Sequence, residues 1–120
     1  MLAVMDYRIE NLEIDNMAVV KGSEKSVNLP ENSVDKILMV DVYHEFSYPK
    51  EMIASIKKAL RPSGAIYLIE YRAEDVSVPI KEVHKMSEKQ AVKELEAAGF
   101  RFKKNTSNLP WQHCLVFVNE

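Results

Sequence analysis

An amphipathic helix enclosed between two short apolar runs is the feature that most constrains the fold of this chain. The runs are residues 37–40, ILMV, and residues 65–70, AIYLIE. Uninterrupted apolar runs of this length are typical of strands that are buried on both faces of a parallel sheet. The sequence between them predicts a helix over residues 49–60, whose apolar stripe is Met52, Ile53, Ile56, Ala59 and Leu60.

The segments on either side of this unit predict further elements. Helical spacing of apolar residues predicts a short helix over residues 2–12, and an apolar run predicts a strand over residues 17–20. We expect residues 71–86 to be irregular. Two final strands, over residues 100–104 and 111–118, are joined by a connection too short for a crossover helix. They should therefore pair in antiparallel orientation.

A third helix, before the last two strands, carries signals at both of its ends. Ser87 begins a capping box. Its hydroxyl accepts a hydrogen bond from the backbone N–H of Gln90, and the Gln90 side chain accepts one from the backbone N–H of Ser87. Gly99 suits the left-handed backbone that commonly ends a helix. Helices alternating with strands, followed by an antiparallel pair, predict a single α/β domain with a mixed sheet.

Composition and charge exclude several classes of protein. The 120 residues carry a formal net charge of −2, and their lysines and arginines are scattered along the chain. We therefore expect neither a nucleic-acid partner nor a membrane partner, and no apolar stretch is long enough to span a bilayer. Cys114 is the single cysteine, which excludes an internal disulfide and favours a reducing, cytoplasmic location.

Three short motifs occur in an informative order. Residues 29–35 read LPENSVD and lead into the first apolar run, residues 60–65 read LRPSGA, and residues 95–100 read LEAAGF. Together they resemble the class I S-adenosylmethionine-dependent methyltransferases. That family has LP-x-x-S-x-D before its fourth strand, L-K/R-P-G-G before its fifth and AAGF before its sixth. Ser63 stands where the family has a glycine, a change that a turn tolerates.

The resemblance implies a truncated Rossmann-like methyltransferase fold over residues 1–120. On this basis residues 2–12 correspond to the helix after the family's second strand, and residues 17–20 correspond to its third strand. The family's first strand, its glycine-rich loop and the acidic residue that binds the ribose would all lie before Met1. The implied cofactor is S-adenosylmethionine. The positions implied to contact it are Gly22, Ser23, Glu24, Asp41, Val42 and Tyr43.

The resemblance also places the chemistry directly after the strand that ends near Val40. His44 or Glu45 would serve there as a base when the methyl acceptor is a hydroxyl or an amine. The alternative is that His44 lies on the surface and that Tyr43 packs under the next helix. Contacts to a small-molecule acceptor are expected after the fifth strand, and structural roles are the alternative there. The candidates are Tyr71, Arg72 and His84.

The sequence gives little support for a metal site. The residues that bind metals best, His44, His84, His113 and Cys114, are mostly far apart along the chain. His113 and Cys114 are neighbours on an expected strand, so their side chains point to opposite faces. We therefore predict no metal site.

The order of strands in the family's sheet predicts an exposed edge. That order is three-two-one-four-five-seven-six, so without the first two strands the fourth has one unpaired side. The edge runs from Ile37 to Val40, and apolar edges of this kind recruit another strand. We therefore expect a homo-oligomer, most simply a homodimer. The alternative is that residues 17–20 move beside this edge and close it.

Three hypotheses about function follow. The leading one is a methyltransferase-like protein whose relatives transfer a methyl group to a small molecule, although the chain alone is expected to lack activity without the glycine-rich loop. The second is a non-catalytic α/β module for interaction or oligomerisation. The third is one piece of a longer methyltransferase.

Overall fold

The computed structural model describes residues 1–119 and folds them around a five-stranded mixed sheet. The strands are β1, Val34–Val40; β2, Leu60–Arg72; β3, Lys85–Met86; β4, Phe100–Asn105; and β5, Gln112–Asn119. The helices are α1, Leu2–Asn11; α2, Pro49–Ala59; and α3, Glu88–Ala97. Two short 3-10 turns cover Tyr43–Glu45 and Glu82–His84.

The strands lie in the order β1-β2-β5-β4, with β3 paired to the last two residues of β2. Strand β1 is parallel to β2, whereas β5 is antiparallel to both β2 and β4. This is the order of the family's fourth, fifth, seventh and sixth strands. The α/β class, the mixed sheet and the antiparallel C-terminal pair are therefore confirmed.

The strand–helix–strand unit forms as its apolar pattern predicts. Pro49 begins α2, where its missing N–H leaves no hydrogen bond unmade. The helix then returns the chain so that β2 lies parallel to β1, with Met39 opposite Leu68. The whole predicted stripe, Met52, Ile53, Ile56, Ala59 and Leu60, is buried.

The core lies between one face of the sheet and the pair α2 and α3. Alternate residues of β2 and β5 supply its centre, and Ile66, Leu68 and Phe117 are completely inaccessible to solvent. Burying one such side chain contributes about 1.5–3 kcal/mol. The core cluster draws residues from all five strands, from α2 and α3 and from the first 3-10 turn, and none from α1.

The prediction that the first apolar run is buried on both faces is wrong. Met39 faces the core, but Leu38 is 66% exposed and Val40 is 45% exposed. The reason is that the elements described in residues 1–119 leave the second face of β1 open. The run therefore has the apolar composition of a strand that is covered on both faces, but only one of its faces is covered.

The predicted strand over residues 17–20 is also wrong. These residues have no regular structure, and Met17 and Val20 are about half exposed. The chain that follows runs beside α2, where the Val27 amide donates to Ser55 Oγ at 3.1 Å. This backbone amide is therefore bound by a side chain of a helix instead of a neighbouring strand. Within residues 1–119 the outer edge of β1 has no strand partner, so the alternative of a closed edge is wrong as well.

The segment over residues 71–86 is irregular as expected, except where it meets β2. Strand β3 pairs in parallel with Tyr71 and Arg72, beyond the point at which β1 ends. Two residues are too few to show an alternating pattern, so this strand could not be predicted from the sequence.

Helix α3 has the expected caps with one exception. Ser87 Oγ accepts from the Gln90 amide at 3.1 Å, and Gly99 has a φ of +98°. The returning half of the capping box is wrong, because the Gln90 side chain donates to Glu94 one turn further along the helix. Helix α1 forms where it was expected, and none of its residues is buried.

Candidate functional site

The candidate site lies at the carboxyl ends of β1 and β2, which meet at one edge because the two strands are parallel. The Asp41 amide donates to the Ile69 carbonyl at 2.8 Å, so the two strand ends stay in register as β1 finishes. Asp41 has a φ of +53°, a left-handed conformation that aspartate tolerates better than most residues. The chain then turns sharply into the 3-10 turn that carries His44 and Glu45.

A buried carboxylate holds His44 in place. Glu70 is fully buried, and its carboxylate contacts His44 Nδ1 at 2.8 Å and accepts from the His44 amide at 3.0 Å. Burial raises the pKa of Glu70, the hydrogen bonds from His44 oppose that rise, and the nearby Asp41 carboxylate adds to it. A carboxylate accepts hydrogen bonds and does not donate them, so the proton of the neutral imidazole lies on Nδ1. The other nitrogen, Nε2, therefore presents its lone pair away from Glu70.

Asp41 presents an acceptor atom without a donor. Its Oδ2 accepts from Gln112 Nε2 at 2.7 Å, while its Oδ1 is buried and has no partner among residues 1–119. Burial raises the pKa of Asp41, against the effects of Gln112 and His44. A buried acceptor without a donor is unfavourable by about 1–3 kcal/mol. A ligand with an ammonium or hydroxyl group would satisfy this oxygen.

Glu45 and His84 complete the polar surface outside His44. Glu45 Oε1 lies 3.2 Å from His44 Nε2 and 3.5 Å from His84 Nδ1. The two imidazole rings are 5.5 Å apart and meet edge to face. His84 arrives here because β3, which begins at Lys85, pairs with the end of β2 beyond β1. The structure thus brings together three residues that the sequence separates by up to forty positions.

Val42 and Tyr43 are placed differently from each other. Val42 is 41% exposed, whereas Tyr43 is buried and donates its hydroxyl to Glu94 Oε1 at 2.8 Å. Burial, reinforced by Glu94, raises the pKa of Tyr43 far above its ordinary value. Its ring also lines a groove of about 550 Å³ between α2 and α3. The side chain thus packs beneath the helices, as the structural alternative predicts, and the backbone of Tyr43 stays at the site.

The predicted cofactor positions Gly22, Ser23 and Glu24 lie in an exposed turn. The Ser23 amide donates to the Ser26 carbonyl at 2.8 Å, which closes the turn. Because residues 17–20 form no strand, the turn does not follow a strand end as it does in the family pattern. A cofactor role for these three residues stays a prediction.

The residues predicted to contact the acceptor differ in their exposure and in the contacts they already make. Tyr71 is partly buried in the sheet between Lys85 and Gln112. The Arg72 guanidinium donates to the carbonyls of Leu109 and Pro110, each at 2.9 Å, and so fixes the loop before β5. His84 is 46% exposed beside Glu45. An acceptor role for all three stays a prediction, and His84 is the best placed.

His113 and Cys114 lie away from this site. The buried His113 ring contacts Asn105 at 3.0 Å and Glu74 at 2.9 Å, and it ties β4 to the segment before α3. Cys114 is partly buried on the following position of β5. The fold thus brings His44 and His84 together, and it places His113 and Cys114 elsewhere.

Sequence reasoning missed two residues of the site, Glu70 and Gln112. Glu70 had a readable signal, because an acidic residue within an otherwise apolar strand is rarely buried without a partner. Gln112 had none, since its contact with Asp41 depends on which strands lie beside each other.

Comparison with known proteins identifies a family and several solved structures that this chain resembles. Residues 1–68 match a family model described as a methyltransferase domain. The structure resembles a SAM-dependent methyltransferase from Aquifex aeolicus, at 23% identity and a TM-score of 0.89, over 99% of this chain and 63% of that one. It also resembles a Sulfolobus solfataricus protein assigned to the type 11 methyltransferases, at 22% identity and a TM-score of 0.76. That match covers 100% of this chain and 66% of the other.

A third structure, the trans-methyltransferase CalH in complex with SAH, matches at 14% identity and a TM-score of 0.75. It covers 100% of this chain and 41% of the CalH chain. A comparison with curated protein sequences gives no match. Within residues 1–119, no helix has the length and apolar character needed to cross a bilayer.

The fold and the family match define an α/β domain of the class I, Rossmann-like methyltransferase type. The chain belongs to the methyltransferase domain family, since the matched residues 1–68 make up more than half of it. It spans just under two thirds of the length of the first two solved structures it resembles.

Proposed function

We propose that this chain binds S-adenosylmethionine at the carboxyl ends of β1 and β2 and takes part in methyl transfer from it to a small molecule. The observation that carries the proposal is the group at the carboxyl ends of β1 and β2. There the buried Asp41 Oδ1 lacks a donor, beside a histidine that Glu70 holds in one orientation. Ligands in open α/β sheets bind at this end of the strands.

The residues present fit the cofactor at this edge. Asp41 Oδ1 would accept from its ammonium group, and the backbone of Val42 and Tyr43 would flank it. When bound, S-adenosylmethionine supplies a methyl group on an electrophilic sulfonium. The protein then has to orient the acceptor, because correct orientation supplies most of what such a transfer requires. A hydroxyl or amine acceptor also sheds a proton, and His44 and Glu45 are the residues that we place there to receive it.

A calorimetric titration with S-adenosylhomocysteine tests the proposal. We expect saturable binding, and we expect Asp41→Asn to weaken it by about tenfold or more, because the variant loses the negative charge facing the ammonium group and has one oxygen for two donors, Gln112 and the ligand. Asparagine tolerates the left-handed backbone at position 41, so the variant should fold. Asp15→Asn, at an exposed position, is the matched control and should bind as the wild type does.

Two outcomes would contradict the proposal. One is the absence of binding by both calorimetry and a second method. The other is binding that Asp41→Asn leaves unchanged, which would place the ligand away from the ends of β1 and β2.

The open edge of β1 supports a second candidate function, an interaction module that pairs with another copy of this chain. Leu38 and Val40 expose apolar side chains on a strand whose outer edge has no partner within residues 1–119. Edges of this kind extend by pairing with a further strand. A homodimer formed in this way would join two sheets through their β1 strands.

Light scattering on a sizing column tests the dimer. We expect a dimer that Leu38→Lys converts to a monomer, because the new charge would be buried at the edge. Val76→Lys, at a position that is 91% exposed in an irregular segment, is the control and should remain dimeric. A wild-type chain that is monomeric at micromolar concentration would contradict this second function and leave the first untouched.

A further inference from the structure

Three potential ligand atoms converge just outside the carboxyl ends of β1 and β2. His44, Glu45 and His84 each offer one nitrogen or oxygen, and these atoms all lie within 4.8 Å of one another. His44 and Glu45 come from the 3-10 turn after β1, whereas His84 ends the 3-10 turn before β3. Two separate segments of the chain thus contribute to one cluster.

The orientation of His44 turns its Nε2 toward Glu45. Its Nδ1 contacts the Glu70 carboxylate at 2.8 Å, so Nε2 faces away from Glu70. Glu45 Oε1 lies 3.2 Å from that nitrogen. An imidazole nitrogen and a carboxylate oxygen at this separation are able to share one metal ion.

The distances within the cluster suit a metal ion. Zinc binds imidazole nitrogen and carboxylate oxygen at about 2.0–2.2 Å, which gives a tetrahedral site edges of about 3.3–3.6 Å. The two ligand pairs that share Glu45 Oε1 lie 3.2 and 3.5 Å apart. Glu45 and His84 are 62% and 46% exposed, so their side chains are free to adjust to an ion.

Glu70 supplies the outer contact that metal-binding histidines usually have. A ligating histidine donates its other ring N–H to a carboxylate or carbonyl, which fixes its orientation and raises its basicity. Glu70 is fully buried and does this for His44 at 2.8 Å. The Glu45 and Glu70 carboxylates would together balance the charge of a divalent ion.

We propose that His44, Glu45 and His84 bind a divalent transition-metal ion of the zinc class. Two imidazoles and one carboxylate favour such ions over magnesium and calcium, which prefer oxygen ligands. Three protein ligands leave at least one position open, and the exposure of Glu45 and His84 directs it toward solvent. An ion there occupies the Nε2 lone pair, so a metal-loaded chain holds the ion with His44 and does not use that residue as a proton acceptor.

Titration of the untagged, metal-free chain with Co²⁺, followed by its visible absorption, tests the proposal. Displacement of Co²⁺ by Zn²⁺ gives the affinity for zinc. We expect one ion per chain, and we expect His84→Ala and Glu45→Gln each to weaken binding by about tenfold or more. Both positions are exposed, so both variants should fold, and circular dichroism checks that they do.

Two control variants exclude binding elsewhere on the chain. Glu82→Gln changes an exposed carboxylate two residues before His84, and His113→Gln changes a histidine outside the cluster. Both should bind Co²⁺ as the wild type does.

The proposal is overturned if the wild type binds no Co²⁺ or Zn²⁺ saturably. It is equally overturned if binding survives either His84→Ala or Glu45→Gln unchanged. The titration uses the metal alone, so its result is independent of whether S-adenosylhomocysteine binds.

Discussion

Helices α1 and α2 are similar in length, and the structure uses them in different ways. Both place apolar residues at helical spacing, and both form over the residues that this spacing predicts. Helix α2 buries Met52, Ile53, Ile56 and Ala59 against the sheet, whereas no residue of α1 is buried. Tyr7 of α1 is 67% exposed and Ile53 of α2 is 2% exposed.

The difference shows that an apolar stripe specifies which face of a helix would pack, and not what it packs against. Isolated helices of about ten residues are marginal in water, so the stability of α2 comes from its contacts with the sheet. Helix α1 buries no residue within residues 1–119 and has no side-chain cap at its first residue. We therefore expect α1 to contribute little to the stability of the domain.

The largest effect should come from truncating one large side chain in each of the two helices. Ile53→Ala leaves a cavity in the core and should lower the free energy of unfolding by about 2–5 kcal/mol. Tyr7→Ala removes an exposed side chain and should change it by less than about 0.5 kcal/mol. Chemical denaturation measures both. A comparable loss from Tyr7→Ala would show that α1 is covered in solution.

The next effect concerns how the helices end. Gly99 follows α3 with a φ of +98°, whereas Leu12 ends α1 with an ordinary φ of −93°. Gly99→Ala should lower the free energy of unfolding by about 1–2 kcal/mol, because an L-residue is strained in a left-handed backbone. Its new Cβ would lie 3.1 Å from Lys57 Cε, a flexible side-chain atom that is able to move.

Gly99→Asn is the matched variant, because asparagine adopts the left-handed conformation more readily. It should be more stable than Gly99→Ala in the same denaturation experiment. Equal losses from the two variants would mean that the side-chain contact with Lys57, and not the backbone, sets the effect.

The smallest effect concerns Glu74, which anchors the first turn of α3. Its carboxylate accepts from the Glu88 amide at 2.8 Å and contacts His113 Nε2 at 2.9 Å. Burial raises the pKa of Glu74, but these hydrogen bonds, together with one from its own amide, outweigh burial, so its pKa lies below the ordinary value of 4.5. The stabilisation is therefore present above pH 4.5 and is lost as the pH falls through the lower, folded-state pKa.

Denaturation curves between pH 6 and pH 3 check this effect. Glu74 is about half exposed, so we expect at most about 1 kcal/mol of stability to depend on its charge. Glu74→Gln should lose less stability than the wild type as the pH is lowered below 4.5. Parallel curves for the two proteins would mean that the charge of Glu74 does not stabilise α3.

The parts of the fold that were predicted correctly are those set by contacts close in sequence. The unit β1-α2-β2, the Ser87 cap, the Gly99 turn and the final antiparallel pair each depend on a local pattern or a short connection. Residues 17–20 show the limit of such patterns. Four apolar residues have the composition of a strand, but a strand also needs a partner, and within residues 1–119 this segment has none.

The resemblance indicated where to look for the candidate site, but several of its contacts could not be predicted from the sequence. The resemblance placed the chemistry after the strand ending near Val40, and His44 does lie there beside Asp41. The contact between Glu70 and His44, and the approach of His84, depend on which strand ends meet in space. No spacing along the chain encodes either contact. The prediction of no metal site was therefore made without knowing that His84 lies beside His44 and Glu45.

A two-dimensional ¹⁵N NMR titration of the chain with S-adenosylhomocysteine tests whether the ligand binds at the carboxyl ends of β1 and β2. We expect saturable shifts in the amides of Asp41, Val42, His44 and Glu70, while those of α1 stay unchanged. Saturation without any shift at these four residues, or a spectrum that the ligand leaves unaltered, would contradict this expectation.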